Sequence, residues 1–220
     1  VYTVAVVLII TVLALLLAVW LNEKNTKLNR LLQAAIFCPH VVSIVSISLI
    51  WPWMMEPNFG SFNYLLRKMG LPTSAWLSGS STAMPSVILV SVWKSVGYDT
   101  LIFLAALQGV SASLYEAARM DSANKVAVFF KITLPMISPQ LFFTLIIRTI
   151  SSFKVFDTVR ILTQGGPNNA TTTLVYSIYT EALLNLRIGY SAAIGVILLI
   201  IISILTIIYF WGFSRKVHYQ

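Results

Sequence analysis

Residues 1–21 run without a charged side chain, and four more apolar blocks, at 33–55, 84–107, 136–156 and 190–213, recur along the chain. About twenty residues of α-helix rise roughly 30 Å, the thickness of a bilayer's hydrocarbon core. Lipid offers no hydrogen bonds, so the backbone of such a block must satisfy itself, and helix is how a single segment does so. The blocks therefore predict an all-α integral membrane protein with about five transmembrane helices. Composition points to the same solvent. Of the 220 residues 58% are hydrophobic and 10% charged, whereas a soluble domain carries about a quarter charged residues to hydrate its surface. Trp53, Trp93, Tyr190, Tyr209 and Trp211 fall near block ends, where interfacial aromatic belts form.

The first block is expected to be a mature helix. No basic n-region precedes it, and Trp20-Leu21-Asn22-Glu23 offers no small-residue cleavage site for a signal peptidase. The sequence opens at Val1 inside that block, without an initiator Met, so further chain is expected upstream. The lone Cys38 excludes an intrachain disulfide and is expected to pack as a small apolar residue. The organisation read from these blocks is a membrane domain over 1–213 followed by a short tail, 214–220.

Orientation follows from the basic residues of alternate loops, which are retained on the cytoplasmic side during insertion. Lys24, Lys27, Arg30, Arg119, Lys125, Lys131, Arg215 and Lys216 collect on one face, against Arg67, Lys68, Lys154, Arg160 and Arg187 on the other. The loop 111–135 and the tail are therefore expected in the cytoplasm, and the loops 56–83 and 157–189 outside it. The net charge of +8 is accounted for by basic residues beside anionic membrane lipid, and no nucleic acid is needed as a partner.

The loop from Ser113 reads Ser-Leu-Tyr-Glu-Ala-Ala-Arg-Met-Asp-Ser-Ala-Asn-Lys-Val-Ala-Val-Phe-Phe-Lys-Ile-Thr-Leu-Pro and ends at Pro135. Ser113 and Glu116 have capping-box spacing, which predicts a short helix beginning there. Ala117, Ala118 and Met120 favour helix and offer a small-residue surface to a partner. The helix is expected to end near 122–124, with Asn124 taking a left-handed conformation. Val126, Phe129, Phe130 and Ile132 then form a second apolar stripe before Pro135 opens the next span.

Glu116-Ala117-Ala118, Asp121-Ser122-Ala123 and Ile132-x-Leu134-Pro135 resemble the EAA loop of binding-protein-dependent ABC importer permeases, in the sugar and glycerol-3-phosphate branch. In that family the loop's first helix inserts into a cleft of a cytoplasmic ATPase. The resemblance implies that Glu116, Ala117, Ala118, Arg119, Met120, Asp121, Ser122 and Ala123 make that contact here. Ser122 stands where the family has glycine, which turns at positive φ without steric cost.

A second stretch resembles the same family: Phe156-Asp157, Leu162 through the Gly165-Gly166-Pro167 turn, Ala170 to Tyr179, and Gly189 to Ala193. The glycines before Pro167 suit a turn that approaches a ligand or partner backbone closely. The resemblance implies a six-helix core of which the first helix is missing, residues 1–21 aligning with the second. It also implies the partners: a second homologous permease, two cytoplasmic ATPase subunits that bind ATP and magnesium, and an extracytoplasmic solute-binding protein. The setting it implies is the bacterial inner membrane. The tail Ser-Arg-Lys-Val-His-Tyr-Gln and the Ala170 segment look like glycerol-3-phosphate permeases, and a sugar or oligosaccharide remains equally open as the solute.

Lys94, Asp99 and Arg148 are charged residues inside the expected spans, with His40 a further titrating group. A charge in hydrocarbon is costly unless paired or hydrated, so each, with Tyr98, is a candidate for the substrate path. Lys94 and Asp99 lie five apart, poorly placed to pair within one helix, and either meet groups on neighbouring helices or line the path. Arg148 leans to the path, while His40, beside Pro39, reads as a packing residue. Ser43, Ser46 and Ser48 suit a polar face or close helix packing. The sequence has no phosphate loop, zinc-ligand pattern or nucleophile elbow, so it reads as a transport subunit that is not an enzyme and holds no cofactor of its own. The alternative is an ion-coupled secondary transporter, whose inverted repeats and broken helices are not evident in the sequence.

Overall fold

The computed structural model describes residues 1–22 and 27–213. The readings for Lys24, Arg215, Lys216 and the tail 214–220 lie outside the described residues. In chain order the elements are α1 (Tyr2–Asn22), α2 (Lys27–Val41), α3 (Ile44–Met54), α4 (Ser61–Lys68), α5 (Ala83–Gln108), α6 (Ala112–Met120) and α7 (Lys125–Val128). A π-helical turn, Phe129–Thr133, leads into α8 (Leu134–Met136), followed by α9 (Ser138–Phe153), α10 (Asp157–Leu162), α11 (Leu174–Tyr179) and α12 (Ile188–Phe213). No strand occurs among the described residues.

Three of these, Tyr2–Asn22, Ala83–Gln108 and Ile188–Gly212, are long and apolar enough to cross a membrane alone, and two bent pairs raise the number to five. The bends correct the expectation of unbroken blocks. The block 33–55 is two helices, α2 and α3, meeting at 97°. Pro39 inside α2 removes a ladder donor, and Ser43 is extended, with φ −55° and ψ 135°. The block 136–156 begins later than expected. Pro135 lies inside α8, and α9 starts at Ser138 after a bend of 69°.

Two compact units divide the chain, one formed by Val1–Val6, Val41–Lys94 and Ile150–Ser203, the other by Val7–His40, Ser95–Thr149 and Ile204–Gln220. In the second unit the apolar α1 is two-sided. Ala14, Ala18 and Leu21 pack with Phe103, Leu104, Leu107 and Ile137 in a buried cluster, and the alanines at i, i+4 let the helices approach closely. Leu8, Val12, Leu16 and Trp20, also at i, i+4 spacing, stay exposed. An exposed apolar stripe on an apolar helix is a lipid-facing surface.

In the first unit the break after α2 is chemically closed, because Lys94 Nζ donates to the Val42 carbonyl at 2.7 Å. Tyr2 Oη donates to Ser91 Oγ at 2.9 Å, and Ser91 in turn bonds the Val87 carbonyl, so these buried hydroxyls are satisfied. At the centre of the loop 56–83 lies one buried side chain. Asn63, 1% exposed, donates from Nδ2 to the carbonyls of Pro57 and Ser74, both at 2.8 Å. Its Oδ1 accepts from Ser74 N at 3.1 Å and from Trp76 Nε1 at 2.8 Å.

Replacing Asn63 with Ala strands these partners, at about 1–3 kcal/mol for each buried group left unsatisfied. Hydrogen exchange should report the outcome: amides between 57 and 78 lose protection in Asn63→Ala, while those of α1 keep theirs.

Candidate functional site

The loop between α5 and α9 folds as helix, turn, helix. α6 begins two residues earlier than its capping-box spacing suggested. Its N-cap is Ser111, and the Ser113 hydroxyl pairs with the Ser111 hydroxyl at 2.8 Å rather than with the backbone. Ala112 already has good helix propensity, so the helix extends to the first residue with an extended backbone. At the other end Asp121 closes the helix, Ala123 N donates to the Ala118 carbonyl, and Ser122 N donates to the Arg119 carbonyl. This pair of bonds is a Schellman cap, whose C′ residue must be left-handed. Ser122 fills that role with φ +51°.

Asn124 therefore does not take the left-handed position expected of it. With φ −72° and ψ 155° it N-caps α7, its Oδ1 accepting from Ala127 N at 2.7 Å. Asparagine serves either end of a helix, and the neighbouring Schellman bonds decide which.

Most of the segment from Glu116 to Ala123 is open. Glu116, Ala117, Arg119, Met120, Asp121, Ser122 and Ala123 are exposed, Met120 to 86%. Ala118 is the exception, turned inward at 5%, so the accessible small side chain on this face is Ala117. Tyr115 ties the inner side of α6 to the π-helical turn, its hydroxyl 3.3 Å from Thr133 Oγ1. Glu116, Arg119 and Lys125 edge a cleft of about 850 Å³ floored by Val19, Leu107 and Phe129. The second stripe is less uniform than expected: Val126 and Phe130 are exposed, Phe129 and Ile132 half-buried.

Among the intramembrane charges, Asp99 and Arg148 come together across α5 and α9. Arg148 Nε donates to Asp99 Oδ2 at 2.9 Å, and Nη2 donates to Oδ1. The Asp99 side chain is 1% exposed and that of Arg148 15%. Tyr98 is exposed on one side and stacks on His40 on the other, centroids 4.7 Å apart and planes at 17°. His40 also lies against Phe37, which agrees with a packing role. Lys94 takes the Val42 carbonyl, as described. Cys38, expected inside, is exposed, because α2 buries none of its residues. Of the three serines Ser48 is buried while Ser43 and Ser46 are exposed.

In the segment after α9, the Gly165 turn folds against its own chain. Gly165 has φ +79°, and a Cβ there would stand 2.7 Å from Tyr176 Cε1. Thr171, fully buried, donates to the Gly166 carbonyl at 2.9 Å and pairs with the Thr163 hydroxyl at 2.7 Å. Sequence reasoning counts Arg160 only as a loop charge and misses its contacts. Its guanidinium lies over Tyr179 at 4.5 Å and Phe156 at 5.6 Å from the ring centroids, a cation–π clamp. The i, i+4 spacing of Phe156 and Arg160 was the available signal.

Residues 4–218 match the family described as binding-protein-dependent transport system inner membrane component. The chain is 41% identical over 197 residues to "sn-glycerol-3-phosphate transport system permease protein UgpA" of Yersinia pestis, a match covering 87% of this chain and 65% of that protein. The protein of the same name from Brucella suis biovar 1 is 34% identical over 221 residues, covering 100% of this chain and 75% of its own length. A solved bacterial alginate ABC transporter, in complex with alginate pentasaccharide-bound periplasmic protein, contains a chain similar at TM-score 0.86 and 25% identity, covering 97% of this chain and 76% of that one. A bacterial ABC transporter involved in the import of the acidic polysaccharide alginate matches at TM-score 0.87 and 25% identity, covering 99% and 78%. This chain spans 65% of the length of the Yersinia pestis relatives.

A serine at positive φ carries a steric penalty of about 1–2 kcal/mol that glycine lacks. Ser122→Gly should therefore stabilise the turn by about that amount and Ser122→Val should weaken it. The check is amide exchange at residues 118–123, slowed in the first variant and accelerated in the second.

Proposed function

Since the chain belongs to the family of binding-protein-dependent transport system inner membrane components, we propose that it is the membrane-spanning permease subunit of an ATP-driven bacterial importer. Its place is the inner membrane, which it crosses several times, surrounded by lipid. The observation that carries this reading is α6: a helix of Ala112–Met120, closed at its C-terminal end by a Schellman cap, with Glu116, Ala117 and Met120 exposed. An isolated nine-residue helix is marginal in water. One held open by a Schellman cap and a tyrosine tether is a surface prepared for a partner.

The partner is a cytoplasmic ATPase. Glu116, Arg119 and Asp121 supply exposed charge for docking, Ala117 allows close approach, and Met120 offers an adaptable apolar contact. The complete importer contains this chain, a second homologous permease, two ATPase subunits and an extracytoplasmic solute-binding protein. ATP and magnesium belong to the ATPase subunits, and this chain holds no cofactor. The solute is a polyol phosphate of the glycerol-3-phosphate kind, or a sugar or oligosaccharide. The names of the relatives, for glycerol-3-phosphate, and of the similar structures, for acidic alginate, support an anionic member of that set.

Glu116→Lys reverses charge at the docking face, a change that costs several kcal/mol where like charges then meet. In membranes carrying the whole transporter, solute uptake should fall at least about tenfold while insertion is unchanged. Replacing residues 116–123 should remove the ATPase from the purified complex. Uptake by the chain without any ATPase would instead reveal a secondary transporter and end this proposal.

A further inference from the structure

α6 is tethered at both ends. Residues 109–111 join it to α5, and residues 121–124 join it to α7, which continues through the π-helical turn and α8 into α9. Any displacement of α6 is therefore delivered to α5 and α9 together. What those two helices do depends on how firmly they are fixed to one another.

A bidentate ion pair joins them. The guanidinium of Arg148, on α9, meets both carboxylate oxygens of Asp99, on α5. A fork-to-fork pair is directional, since two parallel bonds restrain the rotation of each helix as well as its distance. The pair is also expensive to open, because Asp99 is 1% exposed and would be left as a buried, unpaired charge. Beside it, Gly97 brings α5 against the α2 backbone. A Cβ at Gly97 would overlap the Ile36 carbonyl oxygen and stand 3.0 Å from Phe37 Cα. Phe103, Leu107 and Ile137 fill the space between α5 and the start of α9 with apolar contacts, which are strong but not directional.

We infer that Asp99 and Arg148 form a positioning pair that makes α5 and α9 move as one body when α6 is displaced, and that neither charge serves as a contact for the transported solute. The inference rests on the docking role of α6. Because each charge is neutralised by the other, an anionic solute gains nothing from Arg148 unless Asp99 lets go. The sequence reading of Arg148 as a path residue is replaced by a mechanical one.

The test uses the complete transporter, with its ATPase and solute-binding subunits, in proteoliposomes where uptake and ATP hydrolysis are measured together. Asp99→Asn and Arg148→Gln should each lower the solute imported per ATP about tenfold. The double variant D99N/R148Q and the exchanged pair D99R/R148D should recover most of that loss, with the concentration dependence on loaded binding protein unchanged. A double variant no better than the poorer single variant overturns the inference. So does a weaker dependence on solute with uptake per ATP intact, the result of a direct solute contact. Where the single variants do not assemble, Asp99→Glu keeps the charge and shifts the carboxylate by one methylene. Its coupling ratio should still fall, and a wild-type ratio overturns the pair's role. If the 116–123 replacement retains the ATPase, the docking reading fails and the pair loses its purpose. If that replacement sheds the ATPase and the pair variants stay coupled, the pair alone is removed.

Discussion

Hydrocarbon has no hydrogen bonds to give, and the rest of this structure follows from how the chain answers that. Where a helix runs unbroken, as in α1, α5 and α12, the backbone satisfies itself. Where a proline or an extended residue interrupts it, something else must supply the bond. After α2 the supplier is Lys94, whose ammonium meets the Val42 carbonyl. At the start of α9, Ile137 keeps its own backbone bonds, to Thr133 on one side and Leu141 on the other, while Pro139 has no N–H to give the Pro135 carbonyl, and the chain turns by 69° there. The intramembrane polar residues thus work first for the backbone and for each other.

That priority explains which parts were legible in the sequence. Number and type of elements follow from apolar blocks, because block length is set by bilayer thickness. The helix-turn-helix of the loop 111–135 is legible from its spacing, since caps and turns are local. The cap positions were harder: Ser111 and Ser113 are both good N-caps, and the choice rests on where the preceding chain arrives from α5. Asn124 illustrates the same limit, since either the end of α6 or the start of α7 suits it. The pairing of Asp99 with Arg148 joins residues 49 apart, a separation on which helical periodicity is silent. The breaks at 42–43 and at Ile137 were hidden because hydropathy records solvent, and a bent block is as apolar as a straight one.

On the proposed docking role, the loop and the ion pair form one mechanical unit: α6 is its outward end, Tyr115 and the Schellman cap hold the angle of that helix, and Asp99 with Arg148 joins the two helices that flank it. Ser122 is the joint between the rigid parts, and it is held at positive φ by the two backbone bonds that close α6. A glycine would turn there more easily and define the angle less tightly, so the serine trades ease of turning for a narrower range of loop geometries.

Asn63 has a consequence of a different kind. By joining Pro57, Ser74 and Trp76 through a single buried amide, it holds the middle of the 56–83 segment from within, without help from the side chains of Phe59, Tyr64 and Lys68. Phe59, Tyr64 and Lys68 are exposed around this knot. Substitution can rewrite them without unfolding what displays them.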